Sequence, residues 1–242
     1  MTEIRPFRAW RYNSRLAKNL FELTSPLFDV ASERQKSQLY CNPYNSIHLS
    51  IPCGDRPPES AARILQKWKE DGCIQRDPTP GIYVYYQYFQ LPGDPKQYCR
   101  KGFICKIKVY NWEDGIILRH ENTMPKSVNS QVELLAATRL NVSPTHGLYT
   151  DESFVLEDYM DETIANPICE TEDYQGIRDV LSVIRDPQII DGFVNLMREK
   201  RVILADGHHR CKRKERGAMR QLTVRYEHGN ERHEVAAAAQ VT

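Results

Sequence analysis

One stretch, GIYVYYQYFQL at 81–91, constrains the fold more than any other part of the chain. β-Branched and aromatic side chains at that density suit a pleated surface better than a helix. The turn-forming LPGDPKQ follows, and then a second strand-like run, FICKIKVY at 103–110. Two such runs separated by Pro, Gly and Asp predict a hairpin. The tyrosines between 83 and 88 then become core and sheet-face residues.

Helical signals surround this hairpin. From Pro58, Ala61, Ile64, Leu65 and Trp68 recur at i, i+3, i+4 and i+7, and Gly72 is placed to end the helix. A second helix is expected over 130–140, with Ser130 and Glu133 as a capping box and Val132, Leu135 and Ala136 as its apolar face. A third begins at Asp186-Pro187, an N-cap followed by proline at the first helical position. Its buried side is marked by Ile189, Ile190, Phe193, Val194 and Met197. VILA at 202–205 then predicts a short buried strand. Residues 1–57 are broken by Pro26, Asn42-Pro43, Pro52 and Pro57-Pro58 and read as irregular. Together these segments predict an α+β class with a mixed or antiparallel sheet and surrounding helices.

The 242 residues carry 33 basic and 32 acidic side chains, a net charge of +1. Such a balance gives no reason to expect a nucleic-acid partner. No segment approaches the length of apolar residues needed for a membrane span, and the N-terminus lacks an apolar signal core, so a cytoplasmic protein is expected. The seven cysteines are an odd number without CxxC or zinc-ligand spacing. They are expected to be free, mostly buried thiols.

The chemistry concentrates where VILA runs into Asp206-Gly207-His208-His209-Arg210. A strand that ends in Asp-Gly and turns into a helix can bind an anion. Glycine permits close backbone approach, and the first-turn N–H groups point outward at the positive end of the helix dipole. His208, His209 and Arg210 add side-chain donors, and an arginine can grip two phosphate oxygens at once. A surface turn with two exposed histidines would read the same way.

RVILADGHHR resembles the strand-turn-helix signature of the ParB/sulfiredoxin-like superfamily, in which Gly-x-x-Arg binds nucleotide phosphates. RPFRAW (5–10), SPLFDV (25–30), NPYNSIHL (42–49), RHENT (119–123) and DYQGIRDVLSVIRD (173–186) follow in the order typical of one branch. On these motifs, which cover most of residues 4–210, the chain is identified as a member of domain-of-unknown-function family 1015. The resemblance implies a ParB/sulfiredoxin-like core. Sulfiredoxin keeps its catalytic cysteine where this chain has His208, so that reductase chemistry lacks its thiolate. The turn is most similar to the Asp-Gly-His-x-Arg of an archaeal free-serine kinase.

That likeness implies phosphoryl transfer from ATP or ADP, with Mg2+ bridging the phosphates, to a small hydroxylated metabolite such as free serine. Gly207, His208, His209 and Arg210 would hold phosphate, and His208 or His209 would also stabilise developing charge. Asp29, Glu121 and Asp206 are the candidate carboxylates for the acceptor hydroxyl. Asn42, Asn45, His48 and His120 are candidate substrate contacts. Each has a structural alternative. Asp29 can cap a turn, His120-Glu121 can be a surface ion-pair cluster, and Asp206 can bond turn amides. NPYNSIHL can be a turn leading into a core strand in which Ile47 and Leu49 face inward and His48 outward. The rival functions are a nucleotide-binding regulatory or degenerate module without turnover, and a ParB-like DNA-associated protein.

Two departures stand out. Asn129-Ser130-Gln131 replaces the Asp-Arg pair usual in relatives. Beyond Arg210, relatives continue as an aromatic and alanine-rich helical run, whereas CKRKERGAMRQ is basic and the chain ends soon after. A domain over 1–210 is therefore expected, in a shortened family member, with 211–242 as a basic and polar tail or terminal helix.

Overall fold

The computed structural model describes residues 1–26, 30–119, 125–173, 175–207 and 219–226, the backbone alone at 125–128 and 219–226. The described residues divide into two compact units, each discontinuous in sequence. One gathers residues from Met1–Arg8, Thr79–Asn122 and Thr145–Ala237, the other from Ala9–Pro78 and Thr123–Pro144.

The first unit is built on the expected hairpin. Strand β4 (Ile82–Gln90) pairs antiparallel with β5 (Gln97–Lys108), with Tyr83 opposite Ile104 and Gln87 opposite Arg100. The remaining strands of this sheet are β1 (Ile4–Arg5), β6 (Ile117–Arg119), β7 (Thr145–Tyr149), β8 (Cys169–Glu172), β9 (Arg178–Ile184), β10 (Val202–Asp206) and β11 (Met219–Tyr226). Among the described residues they form one nine-stranded sheet in the order β6-β10-β7-β11-β5-β4-β9-β8, with β1 added to β5. The pairs β6/β10 and β11/β7 are parallel and the rest antiparallel, so the sheet is mixed.

Strand β11 corrects the expectation of a tail or terminal helix beyond 210. Residues 219–226 insert between β5 and β7, with Leu222 in register with Cys105 and Thr145. The reason lies in the sequence Leu222-Thr223-Val224-Arg225-Tyr226, which alternates apolar and polar and is rich in β-formers.

One face of this sheet is apolar. Ile82, Val84 and Tyr86 of β4, Phe103, Cys105 and Ile107 of β5, Tyr149 of β7, and Val202 and Leu204 of β10 pack on two helices. These are α6 (Glu157–Ile164), through Met160, and α7 (Pro187–Glu199), through Ile190, Phe193 and Met197. Helix α7 starts as expected: the Asp186 carboxylate accepts from the N–H groups of Gln188 (2.7 Å) and Ile189 (3.3 Å).

The second unit holds the helix expected from Pro58, observed as α4 (Pro57–Glu70), and α5 (Pro125–Thr138). Because α5 starts five residues before Ser130, that residue lies inside the helix and Ser130-Glu133 is not its capping box. Ala61, Leu65 and Trp68 of α4, Leu134 of α5, Tyr12 and Leu49 form its core. Tyr12 belongs to β2 (Trp10–Tyr12), which pairs with β3 (Ile74–Arg76). The N-terminal region is more ordered than its proline content suggested. It contains α1 (Leu20–Leu23), α2 (Glu33–Tyr40) with Ser32 as N-cap, and α3 (Ile47–Ser50). No helix among the described residues is long and apolar enough to cross a membrane.

The cysteines are less buried than expected. Cys41, Cys53 and Cys99 are exposed, Cys169 is half-buried, and only Cys73 and Cys105 of those described are buried.

Candidate functional site

Strand β10 positions the Asp206-Gly207 turn. Val202 and Leu204 are fully buried in the apolar core, whereas Ile203 between them is 43% exposed. VILA is therefore buried on one face, not on both. Near its end the strand changes register against β7. Ile203 lies opposite Leu148 and Leu204 opposite Gly147, but Asp206 lies opposite His146, a shift of one residue. Side chains alternate along a strand, so one extra residue moves everything after it to the other face. The shift takes Asp206 off the helix-covered side of Leu204 and sets it on the side of His146.

Gly207 then has φ +86°, a conformation that favours glycine, and is buried. Its N–H is held by the Asp206 carboxylate at 2.6 Å. The aspartate thus bonds a turn amide, and the first backbone donor of the turn is directed at its own chain.

The parallel pairing of β6 with β10 brings a second strand end beside this turn. Leu204 is in register with Arg119, the last residue of β6, so both strands run out of the sheet in the same direction. The ends of parallel strands are a common place for ligands. The chain leaves β10 into the GHHR sequence and β6 into HENT. His120, Glu121, His208, His209 and Arg210 themselves lie outside the described residues, as does Asp29.

The substrate candidates Asn42, Asn45 and His48 belong to the second unit, and internal hydrogen bonds use them. The fully buried Asn45 donates from Nδ2 to the carbonyls of Glu22 and Thr24, both at 2.8 Å, and accepts from Ile47 N–H at 2.9 Å. Asn42 donates to the Glu22 carbonyl at 3.1 Å and accepts from Tyr44 N–H at 3.0 Å. His48 Nε2 is 3.0 Å from the Asn42 carbonyl. Ile47 and Leu49 are buried, but in the single helical turn of α3 and not in the core strand offered as the structural alternative.

Sequence reasoning missed His146 and a polar network on its face of the sheet. His146 is 7% exposed. Three strands further on, in β4, the same face carries Tyr83, Tyr85 and Gln87, all buried. Tyr85 donates its hydroxyl to Asp179, Gln87 donates to Asp179 at 2.8 Å, and Arg100 donates to Gln87 at 3.1 Å. Burial lowers the pKa of Arg100, and the nearby Tyr85 and the Asp179 carboxylate work in the opposite direction. The odd positions of β4 gave a signal for this network, since Gln87 interrupts an otherwise aromatic face. His146 gave almost none, being one polar residue in a five-residue strand.

A second ionic cluster lies on the helix-covered side. Lys101 bridges Glu157 and Asp161 of α6, and Tyr86 donates its hydroxyl to Asp161 at 2.6 Å. Burial alone would lower the Lys101 pKa, but its hydrogen bonds to the two carboxylates raise it. This cluster ties α6 to the sheet.

These features define a mixed α+β protein in which the parallel strands β6 and β10 end side by side, at Arg119 and at Asp206-Gly207. The chain belongs to the DUF1015 family, described as proteins of unknown function, whose family model matches residues 4–241. The match includes the basic segment beyond Arg210 and the strand at 219–226. Comparisons with curated proteins and with solved structures find no match.

Proposed function

We propose that this chain binds a nucleotide through the turn that follows β10 and transfers a phosphoryl group to a small hydroxylated metabolite, free serine being the first acceptor to test. One observation carries the reading. A one-residue register shift places Asp206 beside His146, immediately before a glycine with positive φ and the sequence His208-His209-Arg210. Chain geometry of this kind lets a backbone approach a phosphate, and a following arginine can bind two of its oxygens.

Asp206 in this reading orients the turn through the Gly207 N–H and is one of the carboxylates proposed to accept the proton of an acceptor hydroxyl. Glu121 and Asp29 are the other carboxylates proposed for that step, and His120 a substrate contact. Mg2+ would arrive on the phosphates of ATP or ADP and neutralise their charge, as it commonly does without a dedicated protein cage. Among the described residues no group of three His, Cys, Asp or Glu side chains could hold a metal.

A binding module without turnover is the second reading. The internal use of the Gly207 N–H favours it, because that donor is directed away from a ligand. Calorimetric titration with ATP, ADP and CTP in Mg2+, beside an Arg210→Ala variant, tests both. Binding that the variant loses, together with phosphoserine formation followed by phosphorus NMR, supports the kinase. Binding without product supports the module, and no binding by the folded chain refutes both.

A further inference from the structure

The register shift between Leu204 and Asp206 decides which side of the sheet carries the carboxylate. Strict alternation from Leu204 would put position 206 on the same side, among Phe193, Met197 and the rest of the apolar core. With the shift, Asp206 is directly opposite His146 and on its face.

His146 also lies in register with Thr223 on its other side, since β7 is flanked by β10 and β11. Continuing across the sheet, Thr223 opposes Ile104, and Ile104 opposes Tyr83. A buried imidazole in this row needs polar company, because leaving it in apolar surroundings costs free energy that an aliphatic residue would not. The bulge brings it a carboxylate at the edge where β6 and β10 both end.

We infer that His146 is a direct contact of the phosphate-bearing ligand, donating an imidazole N–H to a phosphate oxygen. The bulge at the end of β10 places Asp206 and His146 on one face so that both line the same site. The inference rests on the reading of the turn as a phosphate site, and it adds a residue from a different strand. His146 belongs to neither the GHHR turn nor the HENT segment.

The test uses the full chain with nitrogen-15-labelled histidine, the His146 imidazole signals being assigned with a His146→Gln variant. Mg-ATP, Mg-ADP, Mg-CTP and Mg-pyrophosphate are each titrated, with calorimetry on wild type, His146→Gln and His146→Leu. The His146 signals should shift on saturation with the bound ligand. His146→Leu should bind about tenfold or more weakly, as expected for losing a hydrogen bond to a charged group, and His146→Gln, which keeps a donor, should recover most of that loss. Nucleotide binding with unmoved His146 signals overturns the inference and leaves the nucleotide reading standing. A shift with pyrophosphate but no binding of nucleotides supports the inference and overturns the nucleotide reading. If none of the four ligands moves the signals, the inference fails. Because the wild-type spectrum decides, a His146→Leu chain that does not fold changes nothing.

Discussion

Asn45→Ala separates a structural lock from a substrate contact. The side chain of Asn45 is fully buried and makes three hydrogen bonds, to the carbonyls of Glu22 and Thr24 and from Ile47 N–H. Alanine removes all three and leaves three main-chain groups without that partner. Each such bond contributes about 1 kcal/mol net, so the loss should be about 3 kcal/mol. With a urea slope of about 1–3 kcal/mol per molar, the unfolding midpoint should fall by about 1–3 M. Tryptophan fluorescence can isolate the affected unit, since Trp10 and Trp68 lie in the second unit and Trp112 in the first. In a Trp112→Phe background the signal therefore follows the second unit. A midpoint shift below about 0.3 M would refute the lock and return Asn45 to the substrate candidates.

Gly81→Ala should destabilise the first unit by about 1–3 kcal/mol, since a Cβ there would meet Val183 Cγ2 at 2.5 Å and the Ile184 carbonyl oxygen at 2.8 Å; thermal unfolding that matches wild type would contradict this. Asp186→Ala removes the N-cap of α7 and should lower stability by about 1 kcal/mol, with Asp186→Ser retaining most of it in the same denaturation assay. Although Cys99 is exposed as a residue, desolvation of its sulfur beside the sheet pushes the thiol up to about 11 from an ordinary 9.0, so the folded state holds the proton more tightly than the unfolded one. Its stabilising contribution is complete below pH 9 and fades as pH rises towards 11. Thiol labelling at pH 8 should therefore reach Cys41 and Cys53 before Cys99, and Cys73 and Cys105 last, which mass spectrometry of timed quenches can order.

Local chemistry made several elements legible. Tyr, Val and Ile at 82–86 announced β4, and Asp186-Pro187 marked the start of α7, because propensity and capping act within a few residues. Gly72, with φ +68°, lies just past α4 where the pattern placed a stop. What stayed hidden depends on distant partners. The alternation in 222–226 was overshadowed by the basic residues before it, and only pairing with β5 and β7 makes it a strand. The shift at Asp206 adds one residue to a ladder and leaves no compositional trace. Asn45 looked equally suited to a pocket or a lock until its three partners were in place. The division into two units joins segments far apart in the chain, so linear reading from 1 to 210 could not find it.

Hydrogen–deuterium exchange with and without a bound Mg-nucleotide most directly tests whether the sheet edge at the ends of β6 and β10 is the ligand site. Protection should appear in peptides covering 117–123, 145–149 and 202–210, and be absent from 42–48. A nucleotide that binds yet protects the 42–48 loop, or any region other than that edge, would contradict the account.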